Sequence, residues 1–136
     1  MPAKQALKVS ETRATGALAG PALRTFFNIA AAWDLDTGQA MTLLGLLSRS
    51  TFFKWKRDPD SANLSPDKFE RLSYIFGIYK ALQILLPAPA AADAWIHRPN
   101  SAAPFGGRSA LERMLSGQVA DLYVVRQYLD AERGWS

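Results

Sequence analysis

The chain has 136 residues, 49% apolar and 21% charged, which suits one domain with a buried core and at most a small appendage. It has no cysteine and one histidine, His97, which excludes disulfides, thiol catalysis, iron–sulfur clusters and zinc sites built on cysteines or several histidines. The net charge is +4, and the excess falls in one window: residues 37–57 carry Arg49, Lys54, Lys56 and Arg57 against no acid.

Eight prolines leave three long proline-free stretches, 22–58, 67–86 and 105–136, where helices are expected. Residues 1–20 are small and polar without a stable period and read as a tail. From Pro21, suited to a first helical position, apolar residues recur at helical spacing through Leu23, Phe26, Phe27, Ala30 and Trp33, and Asp34 ends the pattern. Asp36 with Gln39 three residues later predicts a capped short helix over about 37–44, stopping near Gly45. Ser48 predicts the cap of a second short helix, Arg49 to Arg57, which turn residues from Asp58 to Asn63 end.

Ser65-Pro66 predicts the start of the longest buried helix. Its apolar positions are Phe69, Leu72, Ile75, Phe76, Tyr79, Leu82 and Leu86. Pro87 to Ala92 reads as a linker, and Asp93 to His97 as a short helical turn around Trp95. Ser109 and Glu112 form an S-x-x-E capping box, so a helix starts there and ends at Gly117. A last helix covers about 118–132, with Val119, Leu122, Val125 and Leu129 on one face. Nothing reads as a strand. The expected organisation is a tail (1–20), a helix-turn-helix and oligomerisation region (21–87) and a small helical module (88–136).

Two short helices joined by a tight turn match a helix-turn-helix, in which the second helix enters the DNA major groove. Ala40, Met41, Leu44, Leu47, Phe52 and Trp55 are expected to fix the crossing angle. That leaves Arg49, Ser50, Thr51, Lys54, Lys56 and Arg57, with Phe53, at the outer face. The basic residues would neutralise phosphates, and Arg49 near the helix start would reach a base edge. An ordinary helical hairpin with a solvated basic face is the competing explanation. The connection Gly45-Leu46-Leu47-Ser48 is one residue longer than the usual tight turn.

The ordered series Trp95, Pro99-Asn100, Phe105-Gly106-Gly107-Arg108-Ser109, Leu115-Ser116-Gly117 and Tyr128-Leu129 resembles the toxin-binding domain of Xre/MbcA/ParS antitoxins. Leu43-Leu44-Gly45, the Ser48 to Trp55 helix, Glu70-Arg71-Leu72 and Gly77 to Leu82 resemble the Xre-like helix-turn-helix of the same family. The resemblance covers about residues 33–135. It implies an all-α fold: an Xre-like helix-turn-helix bundle followed by a small helical toxin-binding module. It also implies a type II antitoxin whose partner is a RES-domain toxin that uses NAD, either degrading it or transferring ADP-ribose. The antitoxin would bind that toxin and close its active-site cleft, and would repress its own operon by binding operator DNA.

Within this framework Trp95, Phe105, Gly106, Gly107, Ser109, Glu112 and Gly117 are structural motif residues. The glycine pair shapes a loop through positive φ, and Trp95 and Phe105 anchor a core. Candidate toxin contacts are Arg108, Arg126, Arg133, Gly134, Trp135 and Ser136. A tryptophan and an arginine past the last helix are the residue types that dominate interface hot spots, and a terminal carboxylate on Ser136 would suit a basic phosphate site.

No catalytic residue, metal or cofactor is expected. His97 has no acid partner in sequence and reads as a surface or capping residue, and no phosphate-binding glycine loop is present. No apolar run approaches the ~18 residues of a membrane span. The first eight residues have no apolar signal core, so a cytoplasmic protein is expected, as a homodimer or a hetero-oligomer with its toxin. A stand-alone helix-turn-helix regulator and a structural adaptor are the alternative functions.

Overall fold

The computed structural model describes the backbone of residues 3–134 and the side chains of residues 17–134. Seven α-helices lie in this range: α1 (Ala3–Ala32), α2 (Thr37–Leu44), α3 (Arg49–Arg57), α4 (Pro66–Leu85), α5 (Pro89–Ala94), α6 (Ala110–Met114) and α7 (Val119–Glu132). Two 3₁₀ turns, Pro59–Ser61 and Trp95–His97, complete the order. Among the described residues the only strand-like feature is one isolated antiparallel bridge, Pro99 to Ser109.

Local chemistry sets most helix starts. The Asp36 carboxylate accepts from Gln39 N–H at 2.8 Å, and the Gln39 side chain accepts from Asp36 N–H at 3.0 Å, a complete capping box. Ser48 and Ser65 cap α3 and α4 by accepting from Thr51 and Lys68 N–H. Ser109 accepts from Glu112 N–H at 3.1 Å, but without the reciprocal bond from Glu112, so only half of that box forms. Gly45 ends α2 at φ +67, a left-handed conformation that costs a side-chain-bearing residue about 1–2 kcal/mol.

The N-terminal expectation is corrected. The segment read as a tail is helical from Ala3, and Pro21 lies inside α1 instead of opening it. An interior proline removes one backbone bond at a cost of ~3 kcal/mol. Among the described side chains the buried stripe of α1 is already present before it, at Ala19, and runs through Leu23, Phe26, Ile29 and Ala30 to Trp33 just past the helix. Pro21 itself faces solvent. Burial of that stripe offsets the missing bond, and small residues such as Ala19 carry too little hydrophobic signal to reveal it in sequence. With 30 residues α1, not the 20-residue α4, is the longest helix.

The centre of the chain is corrected too. The stretch Pro87 to Ala92 holds the start of α5, with Pro89 in the first helical turn and Ala92 fully buried. One continuous core runs from Ala19 to Leu129. Its largest fully buried side chains come from both halves of the described chain: Phe26 on α1 and Trp33 just past it, Leu43 and Leu44 on α2, Leu72, Ile75, Ile78 and Leu82 on α4, and Met114 and Leu122 beyond. The most extensive helix pairing is α4 with α7, so α4 serves as wall to both halves. At Gly77 the two helices approach closely: the Arg126 side chain of α7 lies where a Cβ would stand, and Arg126 Nη1 donates to Ser73 O at 3.2 Å.

His97 joins the same frame. The Trp33 carbonyl, at the end of α1, can only accept, so His97 Nε2–H donates to it at 2.6 Å. This is the capping role expected of that histidine.

Candidate nucleic-acid and partner interfaces

Helix α3 has two faces. Phe52 and Trp55 are buried, which sets its rotation on the bundle. Arg49, Ser50, Phe53, Lys54, Lys56 and Arg57 are exposed, and Thr51 is half-buried. Arg49, Lys54, Lys56 and Arg57 have no acidic partner among the described residues. Three of these cations sit in the last turn, where they complement the helix dipole, while Arg49 stands at the start, its guanidinium 5.7 Å from the Phe53 ring centre. The Ser50 hydroxyl is engaged with Ser48 at 3.0 Å. All four cations of α3 are therefore solvent-facing, with no acidic partner among the described residues. One supporting residue does not fit: Leu47, expected inside the motif, is 98% exposed. The connection turns at Gly45, and Leu46 N–H bonds back to Met41 O at 3.0 Å, so the following residue swings outward.

The elbow between α2 and α3 is held from outside by α4. Arg71 lies against Gly45, its Nε where a Cβ would be only 2.6 Å away. The same Nε donates to Asp67 at 3.0 Å, and Nη1 donates to Gly117 O at 3.0 Å. Its side chain is 12% exposed. Arg71 thus ties the helix-turn-helix elbow to the turn between α6 and α7. In the sequence Arg71 stands out only within the Glu70-Arg71-Leu72 motif, although the Asp67–Arg71 spacing of four on a helix is a legible ion-pair signal.

In the C-terminal module three aromatic rings form the anchor. Trp95 packs edge-on to Phe105 (5.9 Å) and stacks on Tyr128 (6.2 Å), and Phe105 meets Tyr128 edge-on at 5.1 Å. Phe105 is buried, as expected, and Trp95 is half-buried. The Pro99–Ser109 loop is closed by Asn100 N–H to Arg108 O (2.9 Å) and Gly107 N–H to Asn100 O (2.8 Å). Gly106 and Gly107 turn it at φ +57 and +90, the conformation their identity implied.

Ionic bonds lock the α6–α7 corner. Arg113 donates to Asp121 at 2.9 Å and to Pro104 O at 2.6 Å, and Ser116 Oγ donates to Asp121 at 2.5 Å. The Ser116 hydrogen bond, helped by Arg113, holds the Asp121 carboxyl below its ordinary 3.8, against the opposing effect of burial. The bonded carboxylate favours the folded state above pH 3.8, and that contribution disappears as pH falls through the lowered folded value. The wild-type melting temperature is expected to drop more steeply below pH 3.8 than that of Asp121→Asn, which has no charge to lose. Parallel acid limbs in thermal melts of the two proteins would contradict this.

The candidate toxin contacts do not converge on one site. Arg108 is exposed on the loop and lines a cavity of about 280 Å³ with Phe105, Ser109, Glu112 and Arg113. Arg126 lies against Gly77 and lines a separate groove of about 570 Å³ between α1 and α4, with Leu18, Phe69, Phe76 and Lys80. Arg133 has a side chain only 10% exposed and stands 3.9 Å from Asp130. Gly134 follows at φ +85. Trp135 and Ser136 lie outside the described residues. Among the described residues no group of three or more His, Cys, Asp or Glu could hold a metal, and no helix is long and apolar enough to cross a membrane.

Comparison with known proteins agrees with this layout. Residues 12–77 match the family model of the antitoxin Xre-like helix-turn-helix domain. Residues 81–134 match that of the antitoxin Xre/MbcA/ParS C-terminal toxin-binding domain. The chain is 52% identical over 112 residues to the uncharacterized protein y4oB of Sinorhizobium fredii (strain NBRC 101917 / NGR234), covering 82% of this chain and 84% of that protein. No solved structure matches.

Proposed function

Because the chain belongs to the Xre/MbcA/ParS family of antitoxins, we propose that it neutralises a RES-domain toxin that uses NAD, by closing the toxin's active-site cleft with its C-terminal module, and that α3 binds operator DNA for autorepression. The observation that carries the toxin half is the match of residues 81–134 to a toxin-binding domain. In this chain that domain is built on the Trp95–Phe105–Tyr128 rings and the locked α6–α7 corner. The DNA half rests on the unpaired basic face of α3 within a helix-turn-helix domain.

Arg126 on α7 and Arg133, which caps it, each stand beside Asp130, and in this reading they brace the end of the helix. Direct toxin contact is therefore assigned to Arg108, which is exposed, and to Gly134, Trp135 and Ser136 beyond α7. The α7 frame would aim that end at the cleft, and the bulk of Trp135 would supply the plug. The proposed assembly is a hetero-oligomer with the toxin, which keeps the catalytic role on the toxin's side.

Co-expression with the product of the adjacent gene tests the reading. Growth is expected to be restored by the full chain and lost with a chain ending at Gly134, which leaves α7 and its ion pairs intact. Full neutralisation by the shortened chain would remove the plug from the mechanism. Failure of the full chain to bind the neighbouring product, with operator binding retained, would favour the stand-alone regulator.

A further inference from the structure

We propose that Phe53 reads the methyl group of a thymine in the DNA major groove, next to the base edge reached by Arg49. The inference rests on the DNA-binding reading of α3 and adds which base that surface selects.

Among the residues of α3, Phe53 is the one large apolar side chain left at the surface, 40% exposed amid Arg49, Lys54 and Arg57. The fold does not require it there, because Phe52 and Trp55 already supply the buried face. Its ring is nevertheless held in place. It packs edge-on to Phe52 at 5.4 Å, Phe52 packs edge-on to Phe27 at 5.6 Å, and Phe27 meets Phe26 of the core at 5.6 Å. A chain of four rings therefore runs from the centre of the bundle to the outward face of α3. A braced ring has little rotamer freedom left to lose on binding.

The partner chemistry follows from what the major groove offers. Three bases present only hydrogen-bonding groups there, and thymine alone adds a methyl. Phe53 has no polar atom, so among base edges only that methyl matches it. The preceding turn of the helix carries Arg49, whose guanidinium lies 5.7 Å from the ring centre. An arginine at that station suits the two acceptors of guanine. The pair thus presents one apolar and one forked cationic group, side by side, to neighbouring base pairs. The flanking cations Lys54 and Arg57 would hold the register on the phosphates.

The test uses the full chain and a duplex carrying the DNA upstream of its own gene. Single thymines are replaced by deoxyuridine, which removes the methyl and leaves base pairing unchanged. At the thymine that Phe53 reads, the replacement is expected to weaken wild-type binding about four-fold, the effect of one methyl withdrawn from burial. Phe53→Ala is expected to bind the two duplexes equally. Wild-type binding that is specific yet indifferent to every methyl would overturn the role of Phe53 and leave the DNA reading standing. So would an unchanged methyl preference in Phe53→Ala. Absence of any duplex binding at low salt would overturn both, and would point to this face as a protein contact.

Discussion

A triple variant, Lys54→Ala with Lys56→Ala and Arg57→Ala, is expected to lose operator binding while remaining folded. Each phosphate contact contributes about 0.9 to the slope of log affinity against log salt. Removing three should flatten that slope by about 2.7 and lower affinity roughly several hundred-fold at 0.1 M salt. All three side chains are exposed and carry no ion pair within the described structure, so little packing is lost. The residual stability effect is the loss of cations at the helix C-terminus, about 0.3–1 kcal/mol each at most. Mobility shifts across a salt series measure the slope, and a thermal melt confirms the fold. Arg24→Ala is the control, because that cation is already paired with Asp60 at 2.6 Å. A triple variant with the wild-type slope would show that α3 is only a solvated basic helix.

Phe105→Ala is expected to have the largest effect on stability. The side chain is 5% exposed and touches both Trp95 and Tyr128, so truncation leaves a cavity between two rings that cannot close over it. Such a change costs about 3–5 kcal/mol, a large part of the 5–15 kcal/mol that holds a typical domain together. For a chain of this size the melting temperature should fall by roughly 10–20 °C. Toxin neutralisation should therefore fail at temperatures where the wild type works, and Phe105→Leu should recover most of it by refilling the space. A melt shifted by only a degree or two would mean that the three rings are not an anchor.

These expectations differ in how far the sequence could support them. The basic face of α3 was legible because its causes are local. Ser48 sets the first turn, the alternation of Phe52 and Trp55 with charged neighbours sets the rotation, and no acid stands within the window to pair with the cations. The caps at Asp36 and Ser65 were legible for the same reason, since a cap is decided by residues three apart. The start of α1 was not. Ala19 is buried only because the bundle places partners opposite it, and an alanine announces nothing about its neighbours. Leu47 was misplaced because its outward swing follows from the left-handed turn at Gly45, which composition does not encode. The linker around Pro87–Ala92 was misread because proline and alanine serve a loop and a helix start equally well.

What the sequence by itself determined is the all-α class, the two motifs, the capped helices between them and the absence of cysteine chemistry. What only the tertiary structure decided is which cations are free. Among the described residues Arg49, Lys54, Lys56 and Arg57 face solvent without an acidic partner. Arg71 and Arg126 are instead laid across Gly45 and Gly77, and Arg133 is drawn in beside Asp130. The physical reason is range. Helix capping and amphipathic spacing act over three or four residues and can be read along the chain. The partner of an arginine is set by packing between segments, as in the bond from Arg71 to Gly117, 46 residues away.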